Sequence, residues 1–194
     1  WGMTLAVCRS VRTPALFPLR LFAAAYTDIF RGIPVILTIL LVGFGVPGLG
    51  LHRPWNSPYL WGSVALVLAY SSYVAEVFRA GIESVHESQR AGARSLGLSS
   101  AQTLRFVVLP QAVRRVIPPL MNDFVSLQKD VALISLIGPI EILRQAGIDK
   151  SKYANFTPYV GAAIIFLLLT IPETRFVDHL MTRERRRTSG TAVR

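Results

Sequence analysis

Gly161-Ala-Ala-Ile-Ile-Phe-Leu-Leu-Leu169 carries no polar side chain on any face, and it lies inside a window, 153–172, that holds no Asp, Glu, Lys or Arg. Ile36-Leu-Thr-Ile-Leu-Leu-Val-Gly-Phe44 repeats the pattern inside the charge-free window 32–52, and a third such window covers 54–75. At about 1.5 Å of rise per residue, a helix over any of these windows crosses roughly 30 Å of hydrocarbon. One such stretch would suit a buried soluble helix. Three of them in 194 residues predict membrane spans.

Composition agrees. The chain is 52% hydrophobic and 16% charged, whereas soluble domains run near a quarter charged. This excludes a disordered tail, a collagen-like repeat and a solvated acidic linker. One cysteine, Cys8, excludes an internal disulfide framework, and three scattered histidines offer no metal-ligand spacing. Residues 117–140 form a less clean fourth span. They contain Pro118, Pro119, Asp123, Lys129, Asp130 and Pro139, yet Val131-Ala-Leu-Ile-Ser-Leu-Ile137 is strongly apolar. Residues 1–8 read as the end of a further helix. Because the chain opens on Trp1 rather than Met, the expectation is a fragment lacking most of its first span.

Basic residues set the orientation. Residues 9–20, 78–116 and those after Pro172 carry three, six and six Lys/Arg, against one and three in 45–59 and 141–158. Fifteen against four predicts that the 78–116 loop and the C-terminal tail, about 175–194, are cytoplasmic. The tail run Arg183-Glu-Arg-Arg-Arg187, so close to a span, reads as a topology or anionic-lipid signal rather than a nucleic-acid patch.

Enzyme signatures are missing. Gly43-Phe-Gly-Val-Pro-Gly48 fits G-x-G-x-x-G, but it ends an apolar segment, contains Pro47 and has no acid after it until Glu76. No phosphate-binding G-x-x-x-x-G-K-[ST], nucleophile elbow, H-E-x-x-H or C-x-x-C occurs, so the expectation is a non-enzymatic chain without a cofactor of its own.

The loop of about 83–116 is the most informative segment outside the spans. Residues 88–96 suit a short helix, Gly97 stops it with a positive φ, and Ser99-Ser-Ala-Gln102 fits a capping box for the next helix. Leu104, Val107 and Val108 give that second helix an apolar stripe, and Pro110 comes too soon for a straight helix. A compact helical knob of this kind suits docking against another protein.

The loop resembles the EAA loop of binding-protein-dependent ABC transporter permeases: Glu-Ala-Ala, three residues, Gly, nine residues, Ile-x-Leu-Pro. Ala91-Gly92-Ala93, Gly97 and Val107-Val-Leu109-Pro110 fall at that spacing, with Ala91 where the family has glutamate and Gly92 at the second position. Tyr26-Thr-Asp-Ile-Phe-Arg-Gly-Ile-Pro34, Ser72-Tyr-Val-Ala-Glu-Val-Phe-Arg-Ala-Gly-Ile82, Leu109-Pro-Gln-Ala-Val-Arg-Arg-Val-Ile-Pro-Pro-Leu120 and Asn122-Asp-Phe-Val-Ser-Leu-Gln-Lys-Asp130 look like segments of the polar amino-acid uptake branch. The resemblance implies an all-α membrane protein, a multi-spanning helical bundle of the ABC type-1 permease kind with an incomplete N-terminal span, forming a single transmembrane domain over 1–194. It further implies a plasma (inner) membrane location, an extracytoplasmic solute-binding protein, a second permease subunit, and separate ATPase subunits that bind ATP and Mg. No nucleic acid is expected. A compatible solute or amino-acid derivative stays open as cargo, and so does a secondary transporter or channel using Lys129 and Asp130.

Charged positions in the spans need partners. Asp28 with Arg31, and Glu76 with Arg79, stand at i,i+3 and can neutralise one another. Asn122, Ser126 and Lys129 form one stripe at i, i+4, i+7, with Asp123 and Asp130 on the neighbouring one. Lys129 and Asp130 have no opposite charge at i±3 or i±4, so they must face water or another helix, as a structural pair or as part of the substrate pathway or subunit contact.

Overall fold

The computed structural model describes residues 1–10, 14–52 and 54–189, and among them every regular element is helical. The charge-free windows become helices, but not always with the expected bounds. Window 54–75 lies in α4, which is Pro58–Glu83 when α1 (Gly2–Ser10), α2 (Phe17–Gly32) and α3 (Val35–Gly45) are counted before it. Proline suits that first helical position, since its missing N–H would be unpaired there anyway. At 26 residues, α4 is about 39 Å long.

Window 32–52 is the exception. Only the 11 residues of α3 are α-helical, about 16 Å, too short to span alone. Pro34 is the cause: it disfavours helical backbone at Ile33 before it, and Pro47 and Gly48 end the element on the other side in a 3₁₀ turn, Pro47–Leu49. The Pro14–Gly32 and Val35–Leu49 segments meet at 105°, so the pair forms one broken span or a re-entrant turn.

After α4 come α5 (Glu87–Ser95) and α6 (Ser100–Thr103), then a π-helical turn over Leu104–Val108. α7 (Leu109–Asp130) follows directly and passes into a seven-residue 3₁₀ segment, Val131–Ile137. The expected fourth span therefore starts earlier than residue 117 and changes pitch at Asp130. α8 is Ile142–Tyr153, and α9, Thr157–Ser189, carries the third window and most of the basic tail; residues 190–194 of that tail lie outside the described residues, as do 11–13 and Arg53. Two helices, Pro58–Glu83 and Thr157–Arg183, are long and apolar enough to cross a membrane, and two bent pairs raise that to four. Only 11% of the apolar window of α9 is buried against the chain, leaving Ile164, Ile165, Leu167 and Leu168 exposed.

Contacts fall into two compact units. The first comprises Trp1–Thr27, Ser72–Asp123 and the chain from Val177. Here Gly81 of α4 meets α7: a Cβ at that position would collide with Val116 Cγ1 and lie 3.4 Å from the Ala112 carbonyl. Glu76 accepts from Arg9 at 3.0 Å and from Arg79, which also pairs with Glu83, so the predicted i,i+3 pair belongs to a four-residue ion cluster. The second unit comprises Asp28–Ser71 and Phe124–Phe176. In it, Ile137 fills a notch where a Cβ on Gly43 would stand 2.5 Å, and one on Gly62 3.1 Å, from its Cδ1. The Gly43 of the G-x-G-x-x-G lookalike is thus a packing glycine.

The two kinds of glycine respond oppositely to a methyl group. Gly81→Ala should cost about 1–3 kcal/mol, because Val116 is β-branched and cannot swing aside. Gly92→Ala, with nothing within 4 Å of the new methyl, should stabilise by about 0.5–1 kcal/mol. Thermal unfolding of the detergent-solubilised variants measures both. A Gly81→Ala protein melting at or above wild type would contradict the close α4–α7 contact.

Candidate coupling loop and polar helix face

The loop helix α5 opens on a cap that its sequence does not advertise: His86 Nδ1 accepts from the Ser88 amide at 3.2 Å. Histidine is an uncommon cap, and this is the signal that the sequence conceals. The C-terminal end follows expectation. Gly97 has φ +84°, its amide donates to Arg94 O at 2.9 Å, and Leu98 N donates to Ala93 O at 3.2 Å. These paired bonds are the Schellman arrangement, which covers the last carbonyls of α5 and requires a left-handed residue at Gly97. The capping box is complete: Ser99 Oγ accepts from Gln102 N at 3.3 Å while Gln102 Oε1 accepts from Ser99 N at 2.9 Å. Arg94 then donates to Ser100 Oγ at 2.6 Å across the corner.

Beyond α6 the chain does not stop at Pro110. Proline has no N–H and its ring crowds the carbonyl four residues back. A wider turn accommodates it: Leu109 N donates to Leu104 O, five residues back, through the π segment, and α7 continues. The predicted apolar stripe is split by this turn. Val108 is buried with Val85 and Ala112, Val107 is half-buried and Leu104 is exposed. Among the EAA-like positions, Ala93 is buried, while Ala91, Gly92, Gly97, Leu109 and Pro110 are exposed. Leu96 and Phe106, which no spacing argument singles out, are also exposed apolar side chains on this loop.

On α7, Asn122, Ser126 and Lys129 are all exposed, as one stripe should be. The neighbouring Asp130 finds a partner on α4: Tyr70 Oη donates to its Oδ2 at 2.9 Å. Gln128, with its amide nitrogen turned toward α9, donates to Glu173 Oε1 at 3.1 Å. Lys129 and Asp130 are therefore not brought together. Asp130 is half-buried against Tyr70, and Lys129 is exposed. Among the described residues no three His, Cys, Asp or Glu side chains are grouped to hold a metal.

Residues 4–186 match the family model described as "Binding-protein-dependent transport system inner membrane component". The chain is 34% identical over 183 residues to the "Probable glutamine ABC transporter permease protein GlnM" of Bacillus subtilis (strain 168), covering 94% of this chain and 82% of that protein. It is 37% identical over 178 residues to the "Probable amino-acid ABC transporter permease protein y4tG" of Sinorhizobium fredii, covering 91% and 74%. Its structure matches a chain in a crystal structure of an amino acid ABC transporter with histidines at a TM-score of 0.85 and 33% identity, covering 94% and 83%. A chain of the MetNI methionine ABC transporter in an inward-facing form shares the fold at a TM-score of 0.66 and 19% identity, over 92% and 85%. With the helical loop, the apolar spans and the family match over nearly its whole length, the chain belongs to the inner-membrane components of binding-protein-dependent ABC transport systems, as a multi-pass permease.

Proposed function

We propose that this permease imports a polar amino acid, with glutamine the first candidate, delivered by an extracytoplasmic binding protein and driven by ATP hydrolysis in separate ATPase subunits. The observation that carries the reading is the 33% identity and 0.85 TM-score to a chain of an amino-acid transporter, matched in sequence by glutamine and amino-acid permeases. In this reading ATP and Mg bind to the partner ATPases. The α5–Gly97–α6 corner receives the ATPase movement, and the pathway between two permease subunits changes sides. Ala91, Gly92, Ala93, Gly97, Val107, Leu109 and Pro110 belong to that loop. Asn122, Ser126, Lys129 and Asp130 belong to the pathway or to the subunit contact: the first three are exposed polar groups on a spanning helix, which need water or protein, and Asp130 stands next to them, half-buried beside Tyr70.

Reconstituted with its ATPase and binding protein, the permease should take up L-glutamine only when ATP is supplied on the ATPase side. Failure to transport glutamine or any other polar amino acid, with both partners bound, would remove the cargo assignment. Orientation is tested separately. Ser100→Cys in a Cys8→Ser background should react with a membrane-impermeant maleimide only after the cells are permeabilised; labelling from outside intact cells would reverse the topology. At the loop corner, Gly97→Val forces a β-branched residue to φ +84°, a strain of about 1 kcal/mol or more. That variant should insert normally but lose substrate-stimulated ATP hydrolysis; undiminished transport would take Gly97 out of the transmission path.

A further inference from the structure

We propose that Arg90 and Arg115 are positioning residues that tie the coupling loop to the carboxyl end of α4, so that movement of the loop reaches α4 as well as α7. The inference rests on the ATPase-driven reading above and adds the residues through which the movement passes.

A helix leaves its last carbonyls without intrahelical donors, and the end carries a partial negative charge. At and just past the end of α4, Ile82 O has only a long bond from Val85 N, at 3.4 Å, and side chains from the loop and its far flank cover it and Ser84 O. Arg90, on α5, donates from NH2 to Ile82 O at 2.8 Å. Its ion pair with Glu87 is long, at 3.9 Å, and its Nε is buried with no acceptor among the described residues, so the Ile82 carbonyl is the short contact that holds this guanidinium. Arg115, on α7, donates from NH1 to Ser84 O and, at 3.0 Å, to Ser84 Oγ. Ser84 Oγ in turn donates to Gly81 O at 2.7 Å. The carboxyl end of α4 is thereby gripped by one arginine preceding the Gly97 corner and one following it.

Beneath the two arginines lies a small apolar cluster of Val85, Val108 and Ala112 with Ile82 against it. Apolar contacts are non-directional and permit sliding. A guanidinium on a carbonyl is directional and charge-assisted, so it transmits rotation as well as approach. A loop bound to α4 only by the Val85 cluster could shift without carrying α4 with it. Arg90 and Arg115 remove that freedom. Ala91 offers no carboxylate at the EAA position to compete for Arg90.

The test is the ratio of solute transported to ATP hydrolysed in liposomes holding the permease with its ATPase and binding protein, with L-glutamine as probe. Arg90→Met, Arg115→Met and the double variant should assemble, and should hydrolyse ATP at the basal rate without binding protein. Their transport per ATP should fall by about fivefold or more in the double variant, the low end of ordinary allosteric coupling. Arg115→Lys, which can still reach one carbonyl, should recover over half of the loss of Arg115→Met. An unchanged ratio in the double variant overturns the proposal. So does failure of the single and double variants to assemble, or an equal loss of basal and stimulated hydrolysis, since each marks the arginines as structural. Wild-type permease run in parallel separates the two readings: if it fails to couple glutamine uptake to ATP, the cargo assignment falls and the ratio is measured on stimulated hydrolysis by binding protein instead.

Discussion

Inside hydrocarbon no water is available to pair a backbone N–H or C=O, so every break in a helix must be answered locally. This chain has 12 prolines, and several of them fall in or beside its longest apolar segments. The answers differ by position. At Pro34 the helix breaks, and the Pro34 carbonyl accepts from both Leu37 N and Thr38 N to start α3. At Pro110 the chain widens into a π turn, whereas Pro118 and Pro119 are carried inside α7 and Pro172 inside α9. Where the pitch tightens without a proline, over Val131–Ile137, Gly138 N closes the end onto Ser135 O and Arg144 supplies that carbonyl with a second donor at 2.6 Å. Side chains covering carbonyls at helix ends are thus a repeated device in this chain, at Ser135 as at Ile82 and Ser84.

What the sequence discloses divides along the same line. Absence of charge reports where a segment prefers to be, and windows 54–75 and 153–172 are legible for that reason. It says nothing of backbone continuity, and window 32–52 therefore looked like one span although Pro34 divides it from α2. The Gly97 corner was legible because positive φ, the Schellman bonds and the capping box are settled within ten residues, Ala93 to Gln102. Ala154 takes a left-handed φ of 51° without any such sign, being neither Gly nor Asn. Contacts across long separations were invisible: Tyr70 with Asp130, and Arg9 with Glu76, depend on which helices come to lie side by side. Charge alone says that Asp130 needs a partner; it names neither the tyrosine nor the helix that supplies it.

Burial along α4 also departs from the pattern of a water-soluble helix. Most of its buried positions are small, Gly62, Ala65, Ala69, Ser71, Ser72, Ala75 and Gly81, with Leu66 and Tyr70 the large exceptions, while Val67 is exposed. Lipid tails are as apolar as leucine, so large side chains gain nothing by turning inward, and helices associate through close approach of small residues. Gly81 against Val116 and the Gly43–Gly62 notch around Ile137 are the tightest instances.

The same rule makes α7 the anomalous helix. Its exposed residues mix the polar Asn122, Ser126 and Lys129 with the apolar Val113, Ile117 and Phe124, whereas those of the apolar window of α9 include Ile164, Ile165, Leu167 and Leu168. A lysine left against hydrocarbon costs roughly 2.5–3.5 kcal/mol on insertion scales. Asp130, one residue on, is half-buried and accepts from Tyr70 Oη at 2.9 Å, so a charge at this level can find a polar partner within the chain. Lys129 instead stays exposed beside Ser126, where water or another protein would spare it that penalty.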